Sequence, residues 1–127
     1  MLTSPVRFPI RFEAWYRVLS SALLIRPSDS YVDVTDGAVF ARMAWAFRAH
    51  FPRSAIVSAR RLEQSPLGRG VHGLAGRWLV NGSGDRVVVL DLEPKQRARV
   101  LGFSVGLRQL MVSVDEPDEL VELLANR

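Results

Sequence analysis

A mainly β domain of the α+β class, with about seven antiparallel strands between an N-terminal and a C-terminal helix, is the fold that the sequence predicts. Short alternating segments separated by Gly, Asn and Asp turns indicate the strands. The triplet Asp115-Glu116-Pro117 before a leucine-rich segment indicates the last helix. A length of 127 residues with 48% hydrophobic side chains fits one core. We therefore expect residues 1–127 to form a single domain.

The first predicted element is a helix over residues 11–25. Its aromatic and aliphatic side chains recur at helical spacing and would form one apolar face, and Arg26-Pro27 would end it. We expect this face to pack on the core. An interfacial membrane anchor is the alternative, but the polar side lacks the dense Lys/Arg lining of a membrane-surface helix. The apolar positions are Phe12, Trp15, Tyr16, Leu19 and Leu23.

A β-hairpin is predicted next, because residues 31–34 are β-branched and alternating and are followed by the turn signal Asp36-Gly37. Residues 39–51 then place apolar side chains at odd positions and Arg42, Arg48 and His50 at even ones. This alternation favours strands, bent midway, with one buried and one basic face. The same letters also fit a helix, and that alternative stays open.

The second half of the chain predicts further strands and a polar connection. Residues 77–80 and 86–92 read as two strands joined into a hairpin by the glycine-rich turn at residues 81–85. Residues 94–99 read as a basic connection. The other predicted strands cover residues 55–62 and 107–114.

The final helix has strong start signals. Asp115 or Glu116 can accept hydrogen bonds from free amides, Pro117 suits the first turn, and acidic residues complement the positive end of the helix dipole. Leu120 and Leu124 belong to its apolar face. We expect this helix to be the structural end of the domain.

This order of elements resembles a bacterial pleckstrin-homology-like (PH-like) domain over residues 28–126. The resemblance rests on the strand pair around Asp36-Gly37, the passage Pro-Arg-Ser-Ala-Ile at residues 52–56, and the ending Val-Ser-Val-Asp-Glu-Pro-Asp-Glu-Leu-Val-Glu-Leu-Leu. It implies a barrel whose mouth is plugged by the C-terminal helix, and an adaptable binding or assembly role. Residues 70–83 are also similar to uncharacterised actinobacterial proteins, which implies no activity.

Charge is unevenly distributed along the chain. Residues 1–114 carry 16 of the 17 basic and 8 of the 13 acidic side chains, a net charge of +8. Between residues 42 and 77 the arginines face a single acid, Glu63. Such a field attracts phosphate-bearing partners or anionic membranes, although arginine also covers apolar surface and pairs with acids. These structural roles of arginine are the favoured interpretation.

Several classes of chemistry lack their residues. There is no cysteine, which removes disulfides and thiolate sites. Neither His50 nor His72 has metal-ligand spacing, and no P-loop, nucleophile elbow or carboxylate pair is present, so no cofactor, metal or catalytic residue is predicted. We expect Asp33 and Asp91 to pair with arginines. Without a signal peptide or a spanning segment, the expected location is the cytoplasm.

Three functions remain, each with its candidate residues. The favoured one is a noncatalytic binding or assembly module, with self-association through a strand edge or the aromatic helix. The second is an anion-binding module that uses the arginines of residues 42–77 for a phospholipid headgroup or nucleic acid. The third is a small enzyme or ligand carrier with a pocket near His72. The candidate binding residues are Arg42, Arg48, Arg69, His72, Arg77 and Trp78.

Overall fold

The computed structural model describes residues 6–14, 16, 23–25, 27–62 and 70–125. Among these residues the main elements are nine strands and one helix. They are β1 (Val6–Pro9), β2 (Ser30–Val34), β3 (Ala38–Met43), β4 (Phe47–Pro52), β5 (Ile56–Arg61), β6 (Gly70–Leu74), β7 (Arg77–Asn81), β8 (Val87–Val100), β9 (Phe103–Ser113) and α1 (Pro117–Ala125).

The strands form one curled sheet rather than a closed barrel. Its order is β1-β2-β3-β4-β8-β9-β7-β6, and β5 pairs with β8 outside this path. The segment after β1 reaches across the curl, where Arg11 N–H donates to Ser113 O at 2.9 Å and Glu13 N–H donates to Gly82 O at 2.8 Å. The mainly β prediction is confirmed, while the described sheet is a half-barrel.

Residues 39–51 form two strands, so the predicted strands are confirmed over the alternative helix. The side chains of Val39, Met43, Phe47 and Phe51 are fully buried, and β3 and β4 pair antiparallel on either side of a bend at residues 44–46. Because consecutive strand residues point to opposite faces, the arginines between them lie on the other face. Trp45, predicted with the buried set, lies at the bend and is exposed.

The predicted hairpin of residues 77–80 with residues 86–92 is wrong. Strand β7 pairs with β6 on one side and runs parallel to β9 on the other, whereas β8 pairs with β4, β5 and β9. The turn at residues 81–85 therefore leads away to a different part of the sheet. The basic connection predicted at residues 94–99 is also wrong, because those residues are the second half of β8.

The predicted N-terminal helix falls largely on residues that lie outside the described part of the chain. At its described ends the boundaries are wrong. Phe12 forms a bridge with Gly82, and Leu23 and Leu24 form a turn. Ala14 and Tyr16, which are described, have helical backbone, but no N-terminal helix is among the elements of the described residues.

The C-terminal helix begins at Pro117, as predicted, and buries Leu120 and Leu124. It packs mainly on β5. Arg53, which is 8% exposed, donates from Nη2 to Leu123 O at 2.7 Å and from Nη1 to Thr35 O at 3.1 Å. This buried guanidinium joins the end of α1 to the β2–β3 turn.

Candidate functional site

A row of side chains crosses the outer face of the sheet through four neighbouring strand pairs. Tyr31 on β2 lies opposite Arg42, Arg42 lies opposite Arg48, Arg48 lies opposite Arg99, and Arg99 lies opposite Ser104. Paired residues on adjacent strands present their side chains on the same face at about 5 Å. Three arginines are thus held side by side by backbone pairing alone.

A second row runs beside the first. Phe40 on β3 lies opposite His50 on β4, and their rings stack with centroids 4.0 Å apart and an interplanar angle of 10°. Arg97 on β8 belongs to the same outer face, two residues before Arg99. The two rows enclose an open cavity of 510 Å³. We call it the arginine groove; its side chains include Tyr31, Phe40, Arg42, Arg48, His50, Arg97, Arg99 and Ser104.

The four groove arginines form no ion pair with any described residue. Arg42 Nε donates to Ala44 O at 3.2 Å, Arg97 Nη1 to Ser104 Oγ at 3.3 Å, and Arg99 Nη1 to Gly102 O at 3.1 Å. None of the residues that line the groove is acidic. The bonds orient the guanidinium groups without neutralising them.

The acid on the neighbouring strand is already bound. Asp33 accepts hydrogen bonds from Arg7 Nε and Nη2, each at 2.7 Å, and Arg7 lies over the Tyr31 ring at 3.8 Å. The hydrogen bond to Asp33 raises the pKa of Arg7. Asp91 likewise lies 3.6 Å from Arg60, so both predicted acid–arginine pairs are confirmed. Neither carboxylate neutralises the groove.

The opposed arginines of the groove destabilise the fold unless a ligand neutralises their charge. Like charges directly opposite each other on adjacent strands are destabilising. Arg42 faces Arg48, and Arg48 faces Arg99, with no acid among the lining residues. Local conflicts of this kind concentrate at functional sites. A bound anion would offset this repulsion, because each arginine would then lie beside a negative charge.

The structure brings two of the six predicted site residues together, Arg42 and Arg48. Arg77 lies on β7 in another groove, while Arg69 and the His72 side chain lie outside the described part of the chain. Trp78 packs its indole against Gly73 on the paired strand and leaves no room there for a side chain.

The basic residues 42–77 do not form one surface. Arg53 is buried beneath α1, Arg60 pairs with Asp91, and Arg61 Nη1 donates to Asp118 at 2.8 Å. The groove beside Arg77 has a volume of 440 Å³ and mixes three cations with two acids. Its charges are Arg77, Lys95 and Arg108 against Asp91 and Glu93.

Sequence reasoning missed two of the four arginines of the groove. Arg97 and Arg99 lie more than forty residues after Arg48, in the segment interpreted as a connection. A signal was present, because Arg97-Ala98-Arg99 alternates as a strand with one basic face does. His50 was expected to be exposed, which is confirmed, but its stack with Phe40 was not foreseen.

Within the described residues no cluster of three His, Cys, Asp or Glu side chains could hold a metal ion. In that same part of the chain no helix is long and apolar enough to cross a bilayer. Comparison with protein-family models, with curated proteins and with solved structures found no match to the chain. The interpretation of the site therefore rests on its geometry.

Proposed function

We propose that this chain is a noncatalytic binding module whose ligand is a phosphate-bearing anion held in the arginine groove. One observation carries the proposal. Arg42, Arg48 and Arg99 are directly opposite one another on three strands, and no acid lines the cavity beside them. Hydrogen bonds to backbone and hydroxyl oxygens orient the groove arginines, but the described residues offer them no acid that would neutralise their charge.

The chemistry of the groove favours phosphate over a simple halide. Guanidinium groups present planar, forked donors that match two oxygens of one phosphate or carboxylate. Arg42, Arg97 and Arg99 are each oriented by a hydrogen bond to the protein. Four such groups around one cavity suit a ligand with more than one phosphate. The stacked Phe40 and His50 rings add a flat apolar surface beside the cations.

The side chains that line the arginine groove support a noncatalytic role. General acid–base catalysis needs a His, carboxylate, Lys or Tyr within hydrogen-bond reach of the reacting group, and nucleophilic catalysis needs a nucleophile beside its base. Among the groove residues, Ser104 Oγ accepts from Arg97, and the His50 ring stacks on Phe40. This set can hold an anion, but among the described groove residues no hydrogen bond joins the Ser104 hydroxyl to a base.

We also propose that the fold is related to PH-like domains. A strand meander that ends in a helix over its sheet supports a PH-like relationship, as do the β2–β3 hairpin and α1. The parallel pairing of β7 with β9 and the open curl depart from a minimal antiparallel barrel. The anion-binding proposal depends on the arginine groove and stands without this relationship.

Calorimetric titration with pyrophosphate and with inositol hexakisphosphate at low ionic strength tests the function. We expect both ligands to bind, and Arg48→Gln or Arg99→Gln to weaken binding by about tenfold each. Binding should also weaken steeply with added salt, because screening reduces attraction between exposed charges.

Arg60→Gln is the matched control, since it removes the same charge from an exposed strand residue outside the groove. It should change the affinity by less than about twofold. Absence of binding at low salt would contradict the proposal. So would equal weakening by Arg60→Gln and Arg48→Gln, because general net charge would then explain the effect.

A further inference from the structure

Five large apolar side chains are exposed at one end of the sheet, with exposed fractions between 53% and 75%. They come from three separate parts of the chain: the turn at residues 23–24, the β3–β4 bend, and the tip of the β8–β9 hairpin. We call this set the apolar rim; it comprises Leu23, Leu24, Trp45, Leu101 and Phe103.

Hydrogen bonds hold these three segments against one another. Trp45 Nε1 donates to Leu23 O at 2.8 Å, which fixes the indole beside the 23–24 turn. Leu101 N–H donates to Ala46 O at 3.0 Å, which joins the hairpin tip to the β3–β4 bend. The rim is therefore one built surface. Contiguous exposed apolar groups of this kind mark interaction sites.

The backbone at the hairpin tip argues that Leu101 is not there for the fold. Leu101 has φ 52° and Gly102 has φ 85°, the left-handed conformations of a two-residue turn that favours Asn-Gly. The β6–β7 hairpin has the same turn with Ala75 at φ 55° and Gly76 at φ 81°. A leucine at such a position is strained and exposed, so it does not stabilise the fold. We infer that its side chain serves an interaction with a partner.

The rim and the arginine groove share the same loops. Arg99 Nη1 donates to the carbonyl of Gly102, between Leu101 and Phe103. Arg42 Nε donates to the carbonyl of Ala44, next to Trp45. Each loop thus carries an apolar side chain toward solvent and accepts a hydrogen bond from a groove arginine. The rim therefore borders the arginine groove.

We propose that the partner is an anionic lipid bilayer, with the apolar rim inserted at the headgroup level and the arginine groove on a lipid phosphate. This inference rests on the proposed function and names the source of its phosphate. Tryptophan and leucine suit the interface between headgroups and acyl chains, and clustered basic residues are attracted to anionic leaflets. The aliphatic members of the rim offer nothing to nucleic acid, which is bound by stacking and cations.

Vesicle flotation with the full chain tests the inference. Vesicles of equal parts phosphatidylcholine and phosphatidylserine are compared with pure phosphatidylcholine vesicles and with single-stranded DNA. We expect the wild type to bind the mixed vesicles most strongly. The double variant Leu101→Asn/Phe103→Ser should lose at least about tenfold in vesicle affinity while its pyrophosphate affinity stays unchanged.

Ala75→Asn is the control for the new asparagine, because it places the same residue at the same turn position of a different hairpin. It should bind vesicles like the wild type. Asparagine suits left-handed backbone, so neither turn variant should lose the fold. Thermal unfolding verifies this for both proteins.

The outcomes separate the two proposals. If the rim variant binds mixed vesicles as the wild type does, the membrane inference is wrong and the anion-binding function is unaffected. If single-stranded DNA is bound more tightly than vesicles, the partner is a nucleic acid and the inference is overturned. If neither pyrophosphate nor vesicles bind at low salt, the proposed function itself fails.

Discussion

Arg53 gives the sharpest stability prediction, because its guanidinium is buried although it was grouped with a basic surface. It donates to Thr35 O at 3.1 Å and to Leu123 O at 2.7 Å, near the negative end of the α1 dipole. Arg53→Met keeps an unbranched stem and removes both donors. The two carbonyls would lose hydrogen bonds from a charged group.

The magnitude follows from these contacts. A hydrogen bond to a charged group contributes about 1.5–3 kcal/mol, and part of that is regained because a buried cation no longer needs desolvation. We therefore expect Arg53→Met to lower the free energy of unfolding by about 2–4 kcal/mol. The free energy of unfolding of Arg53→Lys should lie between those of the wild type and Arg53→Met, since an ammonium lacks the forked geometry that serves two carbonyls.

Urea unfolding followed by circular dichroism measures the effect. Arg60→Met is the control, since Arg60 is exposed and lies 3.6 Å from Asp91. It should change the free energy of unfolding by less than about 0.5 kcal/mol. If Arg53→Met costs no more than Arg60→Met, Arg53 does not join α1 to the β2–β3 turn as described.

Two further predictions concern the C-terminal helix and pH. Truncation before Asp115 should leave the chain unfolded, because it removes two fully buried leucines, together about 3–6 kcal/mol of burial; a truncated protein with a cooperative unfolding transition would refute this. Partial burial raises the pKa of Asp85, but hydrogen bonds from Arg11 and Ser83 outweigh it, so the net pKa lies below its ordinary value. A lowered pKa stabilises the fold above the unfolded value of about 4 and less so as the pH falls through the folded value. Asp85→Asn should therefore cost less than about 1 kcal/mol at neutral pH, and this cost should shrink as the pH falls below the ordinary pKa of aspartate, measured by urea unfolding. An equal cost at neutral pH and below that pKa would contradict this pairing.

Local signals in the sequence predicted the local parts of the fold. The Asp36-Gly37 turn predicted the β2–β3 hairpin, and the start signals predicted α1 from Pro117. The alternation of residues 39–51 predicted two strands with a basic outer face. In each case the deciding contacts lie a few residues apart, where turn chemistry and periodicity act directly.

Partners distant in sequence could not be predicted. Alternation states which side chains share a face, but it does not state which strand lies beside which. The parallel pairing of β7 with β9 follows from the curl of the whole sheet. The polar, basic side chains of residues 94–99 led to the wrong interpretation of β8, which also contains Pro94, a residue that disfavours a strand interior. The structure places Pro94 where the β8–β9 register is interrupted, between Asp91 and Gln96.

The candidate site shows the same division. Arg42 and Arg48 were identified from their alternation, and the β3–β4 hairpin places them together. Arg99 joins them through β4–β8 pairing, a contact between distant segments. The rim escaped notice because Trp45 was assigned to the buried face, whereas the bend at residues 44–46 turns it outward.

Thermal unfolding of the wild type and of Arg48→Gln, each with and without pyrophosphate, tests the central claim most directly. Arg48 faces an arginine on both sides, so its replacement relieves like-charge repulsion. We predict that Arg48→Gln without ligand unfolds at the same temperature as the wild type or higher, and that pyrophosphate raises the melting temperature of the wild type by more than that of the variant. Equal stabilisation of both proteins by pyrophosphate would contradict the account, as would a variant less stable than the wild type.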